Sequence, residues 1–278
     1  MSKQFFAVIL LCTGLSSYVF SQQKTAGVIY YDQIIDLKAM AAQFQQNAAS
    51  AGGQRQADLQ QRVMMFGGGA NMPEKITNKF EIAFNPSGAK FQKSVIDENN
   101  VPEGGEGAGS ASGGIGAMIS RFGGGGDREI FFNNSDKVTE SFELNGEAVL
   151  LENSLGNMAK EAEKSDETRK IAGFECKKAV VTGRNGQKTT IWYTTDLSFK
   201  ASPMPSMWTE GVVLGLETDR MKYFATSIEY SKVKDSEVAV PKKSRMITQE
   251  EYQKKMEEMR ARFRNMGGGS REIRIQQQ

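Results

Sequence analysis

Apolar side chains recur at every second position along most of this chain, a period that predicts strands rather than helices. The stretch from Gly27 to Ile35 has the β-branched and aromatic content of a first strand. From Ile76 the alternation is plain: Ile76, Phe80, Ile82 and Phe84 precede an Asn85-Pro86-Ser87-Gly88 turn, and Phe91, Val95 and Ile96 follow it. That is a β-hairpin with its turn chemistry in place. Strands then fit 128–133, 137–144 and 147–152, the last two joined at Asn145-Gly146. Others fit 158–163, 174–182, 188–194, 211–217 and 221–230, with turns at Asn185-Gly186 and Asp219-Arg220. A sheet of about ten strands must curl or half-close to protect its faces.

Two stretches switch to helical spacing. Leu37, Met40, Ala41 and Phe44, then Leu59, Val63 and Phe66, predict a helical insertion over 37–66. Further on, Thr248 and Glu251 have the spacing of a capping box, and Tyr252, Met256, Met259 and Phe263 share one face. The expected fold class is therefore mainly β (α+β). A large curved antiparallel meander sheet or half-barrel carries a C-terminal amphipathic helix over 248–266 and the N-terminal helical insertion. Residues 22–247 form one β-rich domain, interrupted at 103–126 by a glycine-rich stretch that buries almost nothing and reads as a disordered loop. Residues 267–278 read as a flexible tail.

The N-terminus adds an address. Lys3, an apolar run from Phe5 to Leu15 and a small residue at Ser21 are the three parts of a secretory signal peptide over 1–21. The run is shorter than the roughly 20 apolar residues that span a bilayer. The expected localisation is the periplasm. Cys12 leaves with the signal, so Cys176 has no partner for an internal disulfide and reads as a buried structural thiol.

Charge and composition narrow the chemistry. The chain has 35 Lys+Arg against 33 Asp+Glu, which makes no global electrostatic case for nucleic acid. The basic residues near the C-terminus are diluted by Glu250, Glu251, Glu257 and Glu258, consistent at most with peripheral membrane contact. There is no histidine, so Ser-His-Asp and Cys-His machinery and His-ligated metals are excluded. Gly183 to Thr189 has the wrong spacing for a phosphate-binding loop. No spacing singles out a carboxylate pair. The 14 methionines include Met204 and Met207, whose thioethers would suit Cu(I), although gap-filling is the usual role of such side chains. No cofactor, no metal and no catalytic set is expected, and the chain reads as not an enzyme.

Ile171-Ala172-Gly173-Phe174-Glu175-Cys176-Lys177-Lys178-Ala179 and Thr190-Ile191-Trp192-Tyr193-Thr194-Thr195-Asp196-Leu197, with Val240-Pro241-Lys242-Lys243 further on, resemble the GLPLI family of exported Bacteroidota proteins. That family's naming motif falls where this chain reads Met207 to Glu217, of which Gly211 and the apolar strand after it match. By fold analogy the sheet is similar to the LolA-like lipoprotein carriers, which hold acyl chains in a half-barrel closed by helices. The expectation that follows is a non-enzymatic periplasmic binding or carrier protein for an apolar ligand or lipid. Trp192, Phe199, Met204, Met207 and Trp208 are its candidate lining. The alternative is an envelope interaction protein that docks on an outer-membrane assembly through the glycine-rich loop and basic tail.

Overall fold

In the computed structural model, which describes residues 25–49, 74–94, 128–144, 146–183 and 186–267, the alternating segments pair into one 12-stranded sheet. Strand β1 (Gly27–Asp36) leads into helix α1 (Leu37–Ala49). Then β2 (Lys75–Asn85), β3 (Gly88–Lys93), β4 (Glu129–Phe132), β5 (Lys137–Leu144) and β6 (Glu147–Ser154) pair antiparallel in sequence. A second antiparallel run comprises β7 (Glu163–Ile171), β8 (Phe174–Thr182), β9 (Lys188–Thr194), β10 (Val212–Glu217) and β11 (Met221–Tyr230). The short helix α2 (Asp235–Val238), strand β12 (Arg245–Ile247) and helix α3 (Gln249–Gly267) complete the order.

Across the sheet the strands run β12-β6-β5-β4-β3-β2-β1-β11-β10-β9-β8-β7. Strand β1 joins the two runs, pairing antiparallel with β2 on one side and β11 on the other. The chain departs from a simple meander after β6. Strands β6 and β7 are consecutive in sequence yet lie toward opposite edges, so residues 155–162 cross a face of the sheet.

That crossing corrects one expectation. Residues 158–162 are turns rather than strand, and Met158 is exposed. The strand begins at Glu163 instead, and eight of the nine residues of β7 are exposed. Charged side chains suit an edge, where they discourage pairing with a second chain, and they erase the apolar alternation that marks inner strands. The expected second helical piece of the insertion, the signal peptide, the glycine-rich loop and residues 268–278 lie outside the described residues.

The larger core lies on one face of the sheet, while Ala83 on the other face is buried against Val233 and Val238. Ile29 and Tyr31 on β1 pair with Ile82 and Phe80 on β2, and Phe91 on β3 lies opposite Ile82; all are buried. Phe80 and Phe91 stack with ring centroids 5.1 Å apart. Two connecting segments lie on this face. One is the crossing, which buries Leu155 and Ala159; the other joins β9 to β10 and buries Leu197, Phe199, Ala201 and Met207. Phe199 stacks on Phe84 at 4.6 Å. At the β5–β6 end α3 takes over as cover, with Tyr252 edge-on to Phe142 at 5.5 Å.

Candidate functional site

Between this face and its two covering segments lies a cavity of about 340 Å³. Strands supply its floor: Phe91, Ile130 and Glu140 stand in register on β3, β4 and β5, with Met221 and Tyr223 from β11 and Asn153 from β6. Arg128, just ahead of β4, shares the parity of Ile130 and faces the same way. Ser154, Asn157 and Pro203 to Ser206 form the roof and rim.

The roof is stitched by its backbone. Gly156 N donates to Pro205 O at 2.7 Å and Met158 N to Ser206 O at 3.0 Å. Gly156 sits at φ +69, where a Cβ would lie 2.6 Å from Trp208 O, so a glycine is required for the two segments to meet. Trp208 Nε1 in turn donates to Gly211 O at 2.8 Å.

Polar groups cluster on the floor, in positions that alternation assigns to the core. Asn78 Nδ2 donates to Gln33 Oε1 at 2.7 Å, and Gln33 Nε2 donates to Tyr223 Oη. These three residues stand in one cross-strand row. Because Tyr223 Oη accepts from Gln33, its own O–H is left to donate elsewhere, and the residue lines the cavity. Burial pushes the Tyr223 phenol up to about 12, the Gln33 hydrogen bond opposing more weakly, so it stays protonated at neutral pH. Arg128 and Glu140 form an ion pair through Nη2 and Oε2, and only 6% of the Glu140 side chain is exposed. Glu140 Oε2 meets the cation without the alignment of a hydrogen bond, and Arg128 Nε has no hydrogen-bond partner among the described residues. Burial lowers the pKa of the Arg128 guanidinium, although an arginine stays charged.

The five residues singled out from sequence do not gather. Met204 lines the cavity. Met207 is buried one turn on, its N–H donating to Met204 O at 2.8 Å, and Phe199 anchors the same segment on Phe84. Trp208 braces Gly156, with Lys200 Nζ 5.3 Å from its ring centroid. Trp192 faces away: it neighbours Ile191, which shares a face with Leu216 and Tyr223. It donates to Glu217 Oε1 at 3.1 Å, and Arg169 lies over its ring at 5.7 Å.

The residues that sequence reading passes over do carry a mark. In Val138-Thr139-Glu140-Ser141-Phe142 a carboxylate occupies a core-parity position, and in the series Ile29, Tyr31, Gln33, Ile35 the amide of Gln33 does the same. A charge on the buried stripe of a strand is costly unless it is paired, which marks it for attention. Among the described residues no group of three or more acidic, cysteine or histidine side chains could hold a metal, and no helix is long and apolar enough to cross a membrane.

Residues 128–254 match the family described as N-glycanase peptide, N-terminal domain. No curated protein matches the chain. Among solved structures, PNGF-II in a C2 crystal form aligns with a TM-score of 0.51 and 18% identity over 84% of this chain. A second crystal form of PNGF-II gives 0.49 and 18% over 83%. An uncharacterized conserved protein from Thermus thermophilus gives 0.32 and 5% over 82% of this chain and 93% of its own. The chain spans about a third of the length of the PNGF-II chains, 33% in each. At that identity the C2 alignment shows a shared fold. The family match overturns the expectation that the chain is not an enzyme, since residues 128–254 match a domain described from N-glycanases. Absence of histidine excluded certain catalytic sets; it did not exclude a part in an enzyme built on other chemistry.

Proposed function

We propose that this chain is an exported binding module that holds the glycan of an N-linked glycopeptide in the cavity beneath Met204, in the service of an N-glycanase-type reaction. One observation carries the reading. Of the 13 residues lining the cavity, all but Phe91 fall within the stretch 128–254 that matches the N-glycanase domain. The lining also suits a sugar: Phe91 and Tyr223 offer aromatic surface, while Asn153, Asn157, Ser154 and Ser206 offer hydrogen-bonding groups for hydroxyls. A cavity of about 340 Å³ lies at the small end of the ~300–1,000 Å³ usual for small-molecule sites, which favours one end of a glycan over a whole chain.

The signal-peptide pattern over 1–21 and the resemblance to the GLPLI family support export to the periplasm. A sheet curled toward a half-barrel agrees with Arg169 of the edge strand β7 lying 4.8 Å from the Phe224 ring centroid on β11, although β8, β9 and β10 separate the two in the strand order. α3, over Phe142, would close the other end.

Calorimetric titration of the purified full chain with an N-glycopeptide, the same peptide stripped of its glycan, and a fatty acid separates the candidates. The glycopeptide alone should bind. Equal binding of the stripped peptide, or binding of the fatty acid in its place, would overturn the glycan reading, the latter in favour of a lipid carrier.

A further inference from the structure

Met221 opens β11 beside the polar row of the floor, and its sulfur takes part in that row. Gln33 is fully buried, and its Nε2 donates both to Tyr223 Oη and to Met221 Sδ, the latter at 3.2 Å. Because Gln33 Oε1 accepts from Asn78, the amide cannot turn without losing that bond. A thioether is a weak acceptor, so a buried N–H directed at it gains less than an ordinary hydrogen bond would give. The backbone of Met221 is pinned as well: its N–H donates to Thr218 Oγ1 at 3.0 Å, and its carbonyl accepts from Thr218 N at 2.9 Å. The side chain is half-buried and lines the cavity, which has room for a molecule the size of hydrogen peroxide. Tyr223, whose hydroxyl proton is left to donate, is bonded to the same Gln33 nitrogen. Two donors therefore stand beside a sulfur that accepts only weakly.

We propose that Met221 is a peroxide-sensitive site whose sulfoxide is captured by Gln33 and Tyr223, which draws the Tyr223 hydroxyl away from the cavity. In the step a sulfur lone pair attacks one oxygen of hydrogen peroxide. The S–O bond forms as the O–O bond breaks, and the sulfur gives up two electrons while the peroxide is reduced. The proton on the transferred oxygen passes to the departing hydroxide, which leaves as water. The product offers an S=O oxygen, a far stronger acceptor than the thioether it replaces. Gln33 Nε2 is already directed at this side chain and Tyr223 Oη is held at the same nitrogen, so both donors are within reach of the new oxygen. A sulfoxide among apolar side chains disrupts a core because its oxygen goes unpaired. Here the partners are in place, so the fold tolerates the oxidation and the cavity loses a donor. Reduction by a thiol-dependent sulfoxide reductase restores the thioether, which makes the site reversible. The effect on ligand binding rests on the glycan reading above, whereas the capture itself does not.

The test treats the full chain with hydrogen peroxide and follows each methionine by peptide mass spectrometry. Sulfoxide should form at Met221 after the exposed Met158 and Met246 and ahead of the buried Met207. In protein labelled with 13C at tyrosine Cζ, the resonance that Tyr223→Phe removes should shift when the wild type is oxidised and hold still in Met221→Leu. Should Tyr223→Phe fail to fold, denaturation midpoints read the capture instead. Oxidation should then move the midpoint of the wild type no further than that of Met221→Leu, which cancels the other methionines. Affinity for an N-glycopeptide should fall about tenfold on oxidation, the loss expected when a buried donor is withdrawn, and treated and untreated Met221→Leu should bind alike. A Met221 still reduced once Met207 has reacted would overturn the site. Sulfoxide at Met221 with the Tyr223 resonance unmoved, or with a midpoint that falls further than that of Met221→Leu, would overturn the capture. Peroxide sensitivity of binding that persists in Met221→Leu would overturn it in favour of Met204 on the roof. Untreated protein that binds no glycopeptide would overturn the glycan reading, while the Tyr223 resonance still decides the capture.

Discussion

At Cys176 the thiol is buried among core residues, and burial pushes its pKa up to about 11. A thiolate is the reactive species, so native Cys176 should resist alkylation at neutral pH and react only when the chain unfolds, as mass spectrometry of iodoacetamide-treated protein can read. The same shift sets a stability slope. Between the ordinary thiol pKa of 9.0 and the native value, the unfolded chain has lost the proton and the native one has kept it, so stability falls as pH rises. The rise from 9.0 to about 11, at a residue with 0% exposure, corresponds to about 3 kcal/mol across that window. Denaturant melts from pH 8 to 11 should show the decline, and Cys176→Ala should flatten it. Alternation alone makes Cys176 legible as a buried thiol. Glu140 and Gln33 are legible in the same way, as polar residues on apolar stripes, but their partners are not: Arg128 and Tyr223 are brought to them by pairing between strands.

Elements divide by how much of their environment is local. The capping box of α3 is wholly local, and its reciprocal bonds are present: Glu251 N donates to Thr248 Oγ1 at 3.1 Å and Thr248 N to Glu251 Oε2 at 2.9 Å. Thr248→Ala should cost about 1 kcal/mol and show as reduced helicity by circular dichroism. The roof is the opposite case. Nothing in the local sequence of 153–159 or 203–207 announces that they meet, because the encounter depends on the chain crossing from β6 to β7. Gly156→Ala places a Cβ against Trp208 O at positive φ, so it should destabilise the fold by more than about 1 kcal/mol and weaken glycan binding together. Phe199→Ala removes the ring stacked on Phe84 and should cost about 3–5 kcal/mol in chemical denaturation. The start of edge strand β7 escapes sequence reading for a related reason: with a neighbour on one side only it needs no apolar alternation, so its period carries no signal.

For the whole molecule, the β-rich class and the long antiparallel sheet follow from turn residues and two-residue periods that can be read directly. The order of the strands cannot, since β1 pairs with both β2 and the distant β11, and no local pattern encodes that choice. The crossing that results gives the sheet a covered face, and the cover leaves a cavity with donors, a paired charge and an apolar corner. The most direct measurement is NMR of the full chain carrying 13C-labelled methionine methyl groups, titrated with an N-glycan oligosaccharide. Met204 and Met221 line the cavity, whereas Met246 is exposed on β12. Glycan binding in the cavity should give saturable shifts of the Met204 and Met221 resonances with Met246 still. Shifts at Met246 with the cavity methyls unmoved, or no shifts anywhere at saturating glycan, would contradict it.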